Sequence, residues 1–245
     1  MIPPVRDWAQ THQGMVRRHN EDACLARPDL GLWAVADGAG GHHAGDLASG
    51  MIIEALTRLP PGLPAGEFLA ALRETVTETH AALRGEAAAR GPGTIIASTL
   101  VMLVLRERHF ACLWAGDSRA YLLRGGEFIQ ISRDHSLVQT LVDAGRLSAA
   151  EAERHPQANI ITRAIGADSP EIELDKVIGE TELGDRFLLC SDGLTKILPE
   201  EEIAALLASP DGVPPTELLI AAALARQAND NVTAVVVELG VPDSA

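Results

Sequence analysis

Short connections between apolar runs restrict the fold of this chain more than any other feature. A polar segment at residues 106–109 is all that separates the run at 97–105 from the run at 110–115. The run at 121–123 is followed by Arg-Gly-Gly-Glu at 124–127, which has the composition of a tight hairpin turn. Connections this short join antiparallel neighbours, because parallel strands need a long crossover. The sequence therefore predicts antiparallel sheet.

The remaining apolar patterns predict an α+β protein. Further strand-like runs occur at residues 32–36, 172–177, 187–190 and 232–237, and several lack alternation, which is typical of strands covered on both faces. Helical periodicity occurs at residues 44–59, 64–90 and 216–228, with shorter helices predicted at 136–144, 149–154 and 200–207. No repeat, low-complexity tract or composition break marks a linker. We predict one domain over residues 1–245, with central antiparallel sheets covered by helices.

The charge of the chain excludes several classes of ligand. Asp and Glu number 34 against 20 Lys and Arg, and the net charge is −14. Such a chain repels nucleic acids and anionic membranes, and no concentrated basic patch offsets the repulsion. The amino terminus lacks the apolar segment of a signal peptide, and the apolar run at 95–105 is shorter than the ~20 residues of a membrane span. We expect a cytoplasmic protein without a membrane anchor that binds no nucleic acid.

Four aspartates lie at the ends of predicted strands. Asp37, Asp117 and Asp192 come directly after apolar runs, whereas Asp230 comes directly before one. In an antiparallel sheet the end of one strand lies beside the start of its neighbour, so these four side chains are predicted to meet at one rim. The alternative is that they mark unrelated surface turns, since a lone Asp-Gly pair is usually a turn.

Carboxylates that meet at one rim repel each other unless they are protonated or neutralised. A divalent cation resolves the repulsion, and oxygen ligands without Cys or His favour Mg²⁺ or Mn²⁺ over zinc. Two such ions ~4 Å apart can hold and acidify a bridging water and bind the oxygens of a phosphoryl group. The carbonyl group of Gly38 is able to approach a metal closely, because glycine has no side chain.

Five short segments carry the most distinctive residues: GMVRRHNED at 14–22, VADGAGGH at 35–42, AGDSR at 115–119, SDGL at 191–194 and DNVT at 230–233. In this order they resemble the motifs of the metal-dependent protein phosphatase family of the PP2C type, in its bacterial branch. The resemblance extends from about residue 11 to residue 237. It implies a fold of two packed antiparallel sheets flanked by helices, an αββα sandwich. It also implies hydrolysis of phosphoserine and phosphothreonine on proteins by a metal-activated bridging water.

The resemblance implies a site with two Mn²⁺ or Mg²⁺ ions, and a third ion in bacterial members. Asp37, Asp192 and Asp230 match the aspartates that ligate metal directly, together with the carbonyl of Gly38. The remaining metal positions are Glu21 and Asp22, which match residues that hold metal-bound waters, and Asp117, which matches the aspartate that binds the third metal with Asp192.

The resemblance also implies which residues handle the substrate. Arg17 matches the arginine that receives the substrate phosphate, a task that suits a planar guanidinium group. Animal members carry a histidine directly after the Asp-Gly pair as the proposed general acid, but this chain has Ala39 there. His42 is the candidate replacement, because histidine donates protons near neutral pH. A metal-bound water is the alternative donor, and His42 and His43 are otherwise expected to begin the helix at 44–59.

The predicted partners are phosphorylated proteins and a cognate serine/threonine kinase. Several segments resemble the branch associated with type VI secretion, and residues 134–166 match a variable flap beside the active site. Within this flap His135, His155 and Arg163 are expected to be structural. We expect a monomer. Two alternatives stay open: a catalytically inactive module that binds phosphoproteins, and a metal-dependent hydrolase of another ester.

Overall fold

Two antiparallel sheets form the centre of the computed structural model, which describes residues 4–40, 44–152, 154–209 and 212–240. The strands in these residues are β1 (Val5–His12), β2 (Asp22–Arg27), β3 (Leu32–Ala39), β4 (Ala97–Ser98), β5 (Leu100–Arg106), β6 (His109–Ala115), β7 (Arg119–Arg124), β8 (Glu127–Gln130), β9 (Asp175–Glu180), β10 (Arg186–Cys190) and β11 (Val232–Leu239). The first sheet has the order β1-β11-β10-β7-β8, and the second has the order β2-β3-β5-β6-β9 with β4 paired to β3.

Helices cover the outer faces of both sheets. They are α1 (Ala44–Thr57), α2 (Ala65–Arg90), α3 (Leu137–Asp143), α4 (Ala149–Ala152), α5 (Asp192–Thr195), α6 (Glu200–Leu207) and α7 (Pro215–Ala225). Apolar residues of α1 and α2 pack on the second sheet, and those of α6 and α7 pack on the first. None of the helices in the described ranges is both long and apolar enough to cross a membrane.

The strands are apolar on both faces because each face contacts a different layer. In β3, Trp33 and Val35 point between the two sheets, whereas Leu32 and Ala34 point towards α1 and α2. In β11, Val235 also points between the sheets. The apolar runs without alternation are explained by this arrangement, and the predicted αββα architecture is confirmed.

The predicted elements are mostly confirmed, and the errors have a common cause. Every predicted helix is present with its ends shifted by a few residues, and the hairpin at 124–127 has positive φ angles of 58° at Gly125 and 88° at Gly126. The prediction missed β1, β2 and β8, and it placed β9 a few residues early, at 172–177. These four strands are not fully buried, and all but β2 contain exposed residues. Exposed positions accept polar side chains, so apolar runs do not mark such strands.

The layer between the sheets is expected to carry much of the stability. Leu189 of β10 is 0% exposed in this layer, whereas Leu183, in the loop before β10, is 74% exposed. Leu189→Ala is expected to lower the free energy of unfolding by about 2–5 kcal/mol, because it removes buried contacts and leaves a cavity. Leu183→Ala serves as the matched control and is expected to change it by less than about 0.5 kcal/mol. Urea denaturation measures both, and equal effects would contradict the assigned core.

Candidate active site

The ends of several strands meet at one rim of the sandwich. Cys190, the last residue of β10, pairs with Ala234 of β11 and with Arg119 of β7. In the second sheet Asp22 pairs directly with Asp37. The register therefore brings the ends of β3 and β10 beside the starts of β2, β7 and β11. All the predicted acidic positions lie at or next to these strand ends.

Asp22 connects the two sheets at this rim. Its Oδ2 atom accepts hydrogen bonds from the hydroxyls of Ser191 at 2.7 Å and Thr233 at 2.6 Å, both from the opposite sheet. Burial first, and then the charges of Asp192 and Asp230, raise the pKa of Asp22 to about 7, although the hydrogen bonds from the two hydroxyls lower it. Asp22 is thus a buried carboxyl group that two hydroxyls hold in place and whose surroundings disfavour its negative charge.

The backbone of Asp37 is fixed by the strands next to it. Its N–H group donates to Oγ1 of Thr99 at 3.1 Å, and its carbonyl accepts from Ser98 Oγ at 3.0 Å and from the Thr99 N–H at 2.8 Å. Burial first, and then the charges of neighbouring aspartates led by Asp22, raise the pKa of Asp37 well above its ordinary value. The carboxyl of Asp37 therefore lies where like charges are concentrated.

Asp117 lies between β6 and β7 and is 7% exposed. Its Oδ1 atom is buried, and no hydrogen-bond partner for it is found in the described part of the chain. Burial and then the charge of Asp192 raise the pKa of Asp117 to about 7, while the charge of Lys196 lowers it. A buried carboxylate oxygen without a hydrogen bond is costly, so this environment favours a cation or a proton on Asp117.

Glu21 and Gly38 approach the start of α1 at Gly45. A Cβ atom on Gly45 would lie 2.8 Å from Oε1 of Glu21 and 2.8 Å from the carbonyl oxygen of Gly38. A Cβ atom on Gly38 would lie 2.0 Å from the carbonyl oxygen of Gly45. Only glycine fits at these two positions, and their close packing places the carboxylate of Glu21 beside the carbonyl of Gly38. The pair supplies two oxygen atoms of the kind that hard cations prefer.

Arg17 lies on the loop between β1 and β2. Its Nη2 atom donates to Oδ2 of Asp230 at 2.8 Å, and its side chain is 52% exposed. This bond and the charges of Asp230, Glu21 and Asp37 raise the pKa of the guanidinium despite its partial burial. Arg17 is therefore a cation at the solvent side of the carboxylate cluster.

Two polar residues that the sequence analysis did not select organise this site. Asn231 accepts from the N–H of Glu21 and donates to the carbonyls of Gln13 and His19, all at 2.9 Å, and so holds the loop that carries Arg17. Lys196 contacts Oδ2 of Asp192 through its Nζ atom. Both were detectable: Asn231 follows Asp230 directly, and Lys196 follows Asp192 at helical i,i+4 spacing.

His42, predicted as a general acid, lies outside the described residues, as does His43. Ala39 ends β3, so no titratable side chain follows Gly38 directly. Two of the flap residues are structural, as expected. Nδ1 of His135 accepts from the N–H of Gly116 at 3.1 Å and its Nε2 lies 3.2 Å from Oδ2 of Asp175, while Arg163 bonds to His135 and Asp175.

The donor set is suited to hard divalent cations. It consists of carboxylates and one approachable carbonyl, the pKa values of Asp22, Asp37 and Asp117 are raised, and Oδ1 of Asp117 has no hydrogen-bond partner among the described residues. In the part of the chain that the structure describes, no three His, Cys, Asp or Glu side chains are close enough to chelate one ion. Asp192 and Asp230 instead contact the cationic groups of Lys196 and Arg17.

Comparison with known proteins identifies close relatives of this chain. The family model described as protein phosphatase 2C matches residues 11–215. PppA, a key regulatory component of the type VI secretion system in Pseudomonas aeruginosa, has a solved structure with 43% identity and a TM-score of 0.89, covering 97% of this chain and 98% of that one.

Curated relatives are named as serine/threonine phosphatases. PstP of Mycobacterium tuberculosis is 38% identical over 96% of this chain, which spans only 45% of the length of that relative. A solved structure of the catalytic domain of PstP in complex with 2 manganese ions has 37% identity and a TM-score of 0.86, covering 97% of this chain and 99% of that one. The phosphatase stp of Listeria monocytogenes is 34% identical, with 94% of both chains covered.

The raised pKa values predict an unusual pH dependence without metal. Between about pH 5 and 7, folded Asp22 and Asp117 hold protons that the unfolded chain has released, so the free energy of unfolding is expected to fall as pH rises. His135 acts in the opposite direction, because burial lowers its pKa. Urea denaturation in EDTA measures the sum of these pH effects on the free energy of unfolding, and the Asp117→Asn variant isolates the contribution of Asp117.

The wild type should lose more stability than Asp117→Asn between pH 5 and pH 7. Saturating Mn²⁺ should reduce the difference, because a cation bound to the carboxylate of Asp117 keeps it ionised across this pH range. Identical pH slopes for the two proteins in EDTA would contradict the environment assigned to Asp117.

Proposed function

The chain belongs to the protein phosphatase 2C family, and on that premise we propose that it hydrolyses phosphoserine and phosphothreonine in proteins with divalent cations. The observation that carries the proposal is the buried cluster of carboxylates at the rim, where Oδ1 of Asp117 has no hydrogen-bond partner among the described residues and an exposed Arg17 contacts Asp230. A cluster of this kind needs cations to persist, and an adjacent guanidinium suits a phosphate group.

We assign the metal ligands by combining the family motifs with the geometry. Asp37, Asp192, Asp230 and the carbonyl of Gly38 would hold two Mn²⁺ or Mg²⁺ ions. Glu21 and Asp22 would bind waters on these ions, and Asp117 with Asp192 would hold a third. When bound, these ions supply an acidified water as nucleophile and neutralise charge on the phosphoryl group. The two manganese ions in the PstP complex support the choice of metal.

The side chains of the site have separate tasks in this proposal. Arg17 binds and orients the phosphate through the guanidinium N–H groups that do not contact Asp230. Asn231 keeps the Arg17 loop in register with β11 by its bonds to Gln13 and His19. Asp22 is held by two hydroxyls and so keeps one orientation when the rim fills with cations. His42 stays the predicted proton donor to the leaving oxygen.

The family resemblance also supports a signalling role in a bacterium. We propose that the chain opposes a serine/threonine kinase, and the 43% identity with PppA supports a link to type VI secretion. We still expect the protein to be monomeric and to act in the cytoplasm. The acidic net charge of −14 disfavours a nuclease, since nucleic acids are repelled. An inactive phosphoprotein-binding module is disfavoured because every ligand position of the family motifs is retained.

Asp192→Asn tests the hydrolase and the site together. The variant removes one negative charge from a predicted metal ligand and is expected to lower phosphate release from a phosphothreonine peptide on the order of 100-fold or more. The wild type is expected to need Mn²⁺ or Mg²⁺ and to lose activity in EDTA. Wild-type protein that is folded but inactive with both metals would favour the binding module. Metal-dependent activity that survives the substitution would place the site elsewhere.

Arg17→Ala tests the phosphate contact. Loss of hydrogen bonds to a charged group is worth about 1.5–3 kcal/mol, so kcat/KM for the phosphopeptide is expected to fall roughly 10- to 100-fold. Arg18→Ala is the matched control, because it removes the same charge from the next, exposed residue. The control should change kcat/KM less than about 3-fold, as expected for a surface charge. Equal losses of kcat/KM in the two variants would mean that Arg17 acts only through general electrostatic attraction and makes no specific contact with the phosphate.

A further inference from the structure

Lys196 is an unexpected residue at the rim. The 245 residues include only two lysines, Lys176 and Lys196, and the other basic residues are arginines. Lys196 follows the one-turn helix α5, and its N–H group donates to the carbonyl of Asp192 at 2.8 Å. This turn directs its ammonium group back to Oδ2 of Asp192. The motif match does not account for a cation at this point.

The charged groups that act most strongly on the ammonium of Lys196 are acidic. Burial lowers its pKa, but the charges of Asp192, Asp117 and Asp230 outweigh burial and raise it. Oδ1 of Asp117, which has no hydrogen-bond partner in the part of the chain that the structure describes, belongs to the same group of side chains. Lys196 therefore supplies positive charge next to the two aspartates that the family motifs assign to a third cation.

We propose that Lys196 is an intramolecular counter-ion that competes with a third divalent cation for Asp192. The inference rests on the proposed function, which assigns Asp117 and Asp192 to that cation. The ammonium contacts one carboxylate oxygen of Asp192, and a metal ion needs the same carboxylate. An ammonium and a divalent cation also repel each other, so both cannot occupy this position at once.

Lysine has the properties that such a competitor needs. Its ammonium is a compact charge on a flexible four-carbon stem, whereas the guanidinium of arginine is a rigid planar group. The side chain of Lys196 is 40% exposed, so a rotation of the stem can carry the charge into solvent. The third position would then fill only at higher metal concentration than the other two. Without metal, Lys196 reduces the repulsion among the carboxylates.

Metal titration of the intact chain tests this competition without any activity assay. Binding of Mn²⁺ is followed by the electron paramagnetic resonance signal of the free ion and by calorimetry. Lys196→Gln is expected to tighten the weakest Mn²⁺ step about 5-fold, the size expected when a partly exposed ion pair and a like-charge repulsion are removed. Lys196→Arg should remain near the wild type, because the charge is kept.

Two controls make the outcomes distinguishable. Lys176→Gln removes the other lysine, which is exposed on β9, and should leave every step unchanged. Asp117→Asn should weaken or remove the weakest step. Mn²⁺ binding that is the same in the wild type and in Lys196→Gln would overturn the inference and leave the hydrolase proposal intact. No Mn²⁺ binding to the wild type would overturn both.

Amine labelling supplies a second readout on the unaltered protein. With two lysines in the chain, mass spectrometry after brief acetylation reports on each ammonium group separately. Mn²⁺ at saturation is expected to raise the labelling rate of Lys196 at least about 3-fold over the rate in EDTA, because a competed ion pair frees the amine for reaction. Lys176 is the internal control and should not change. An unchanged or slower rate at Lys196 would overturn the competition.

Discussion

Repulsion among carboxylates at one rim is the interaction on which the rest of this structure depends. Asp22 and Asp37 pair directly across β2 and β3, Asp117 follows β6, and Asp192 begins α5 just after β10. Each charge raises the free energy of the others, and burial adds to the cost. The fold tolerates the cluster because backbone register fixes where each strand ends. Arg17 supplies positive charge at the same rim.

The sandwich supplies the rigidity that such a cluster requires. Strands with two apolar faces are packed between the opposite sheet and a layer of helices, so a shift of one strand would disturb two layers. In the strands that are buried on both faces, β3, β5, β6, β10 and β11, charged and hydroxyl side chains lie near the strand ends. There Ser191 and Thr233 turn their hydroxyls to Asp22, and Thr99 accepts from the N–H of Asp37. The apolar layers stabilise the fold, whereas the carboxylates at the strand ends destabilise it and form the proposed site.

Sequence alone predicted the parts of this molecule that follow from periodicity and strand ends. The four aspartates were selected because each borders an apolar run, and all lie at or beside the rim. The strands β1 and β8 were missed because edge strands carry polar side chains, which break the pattern. The contacts of Asn231 join residues far apart in the chain and do not follow from local spacing, whereas the contact of Lys196 with Asp192 has the i,i+4 spacing of a helix.

The segment predicted to be a flap, residues 134–166, is anchored to the scaffold at both ends. Its first residue, Asp134, accepts a bidentate pair of hydrogen bonds from Arg119 at the start of β7. Its last residue, Gly166, donates its N–H to Nδ1 of the buried His80 at 2.9 Å, and Nε2 of His80 bonds to the carbonyl of Ser169 at 2.9 Å. Because both ends are held by the scaffold, substitutions between them are expected to leave the strand ends, and the carboxylates that these carry, in place.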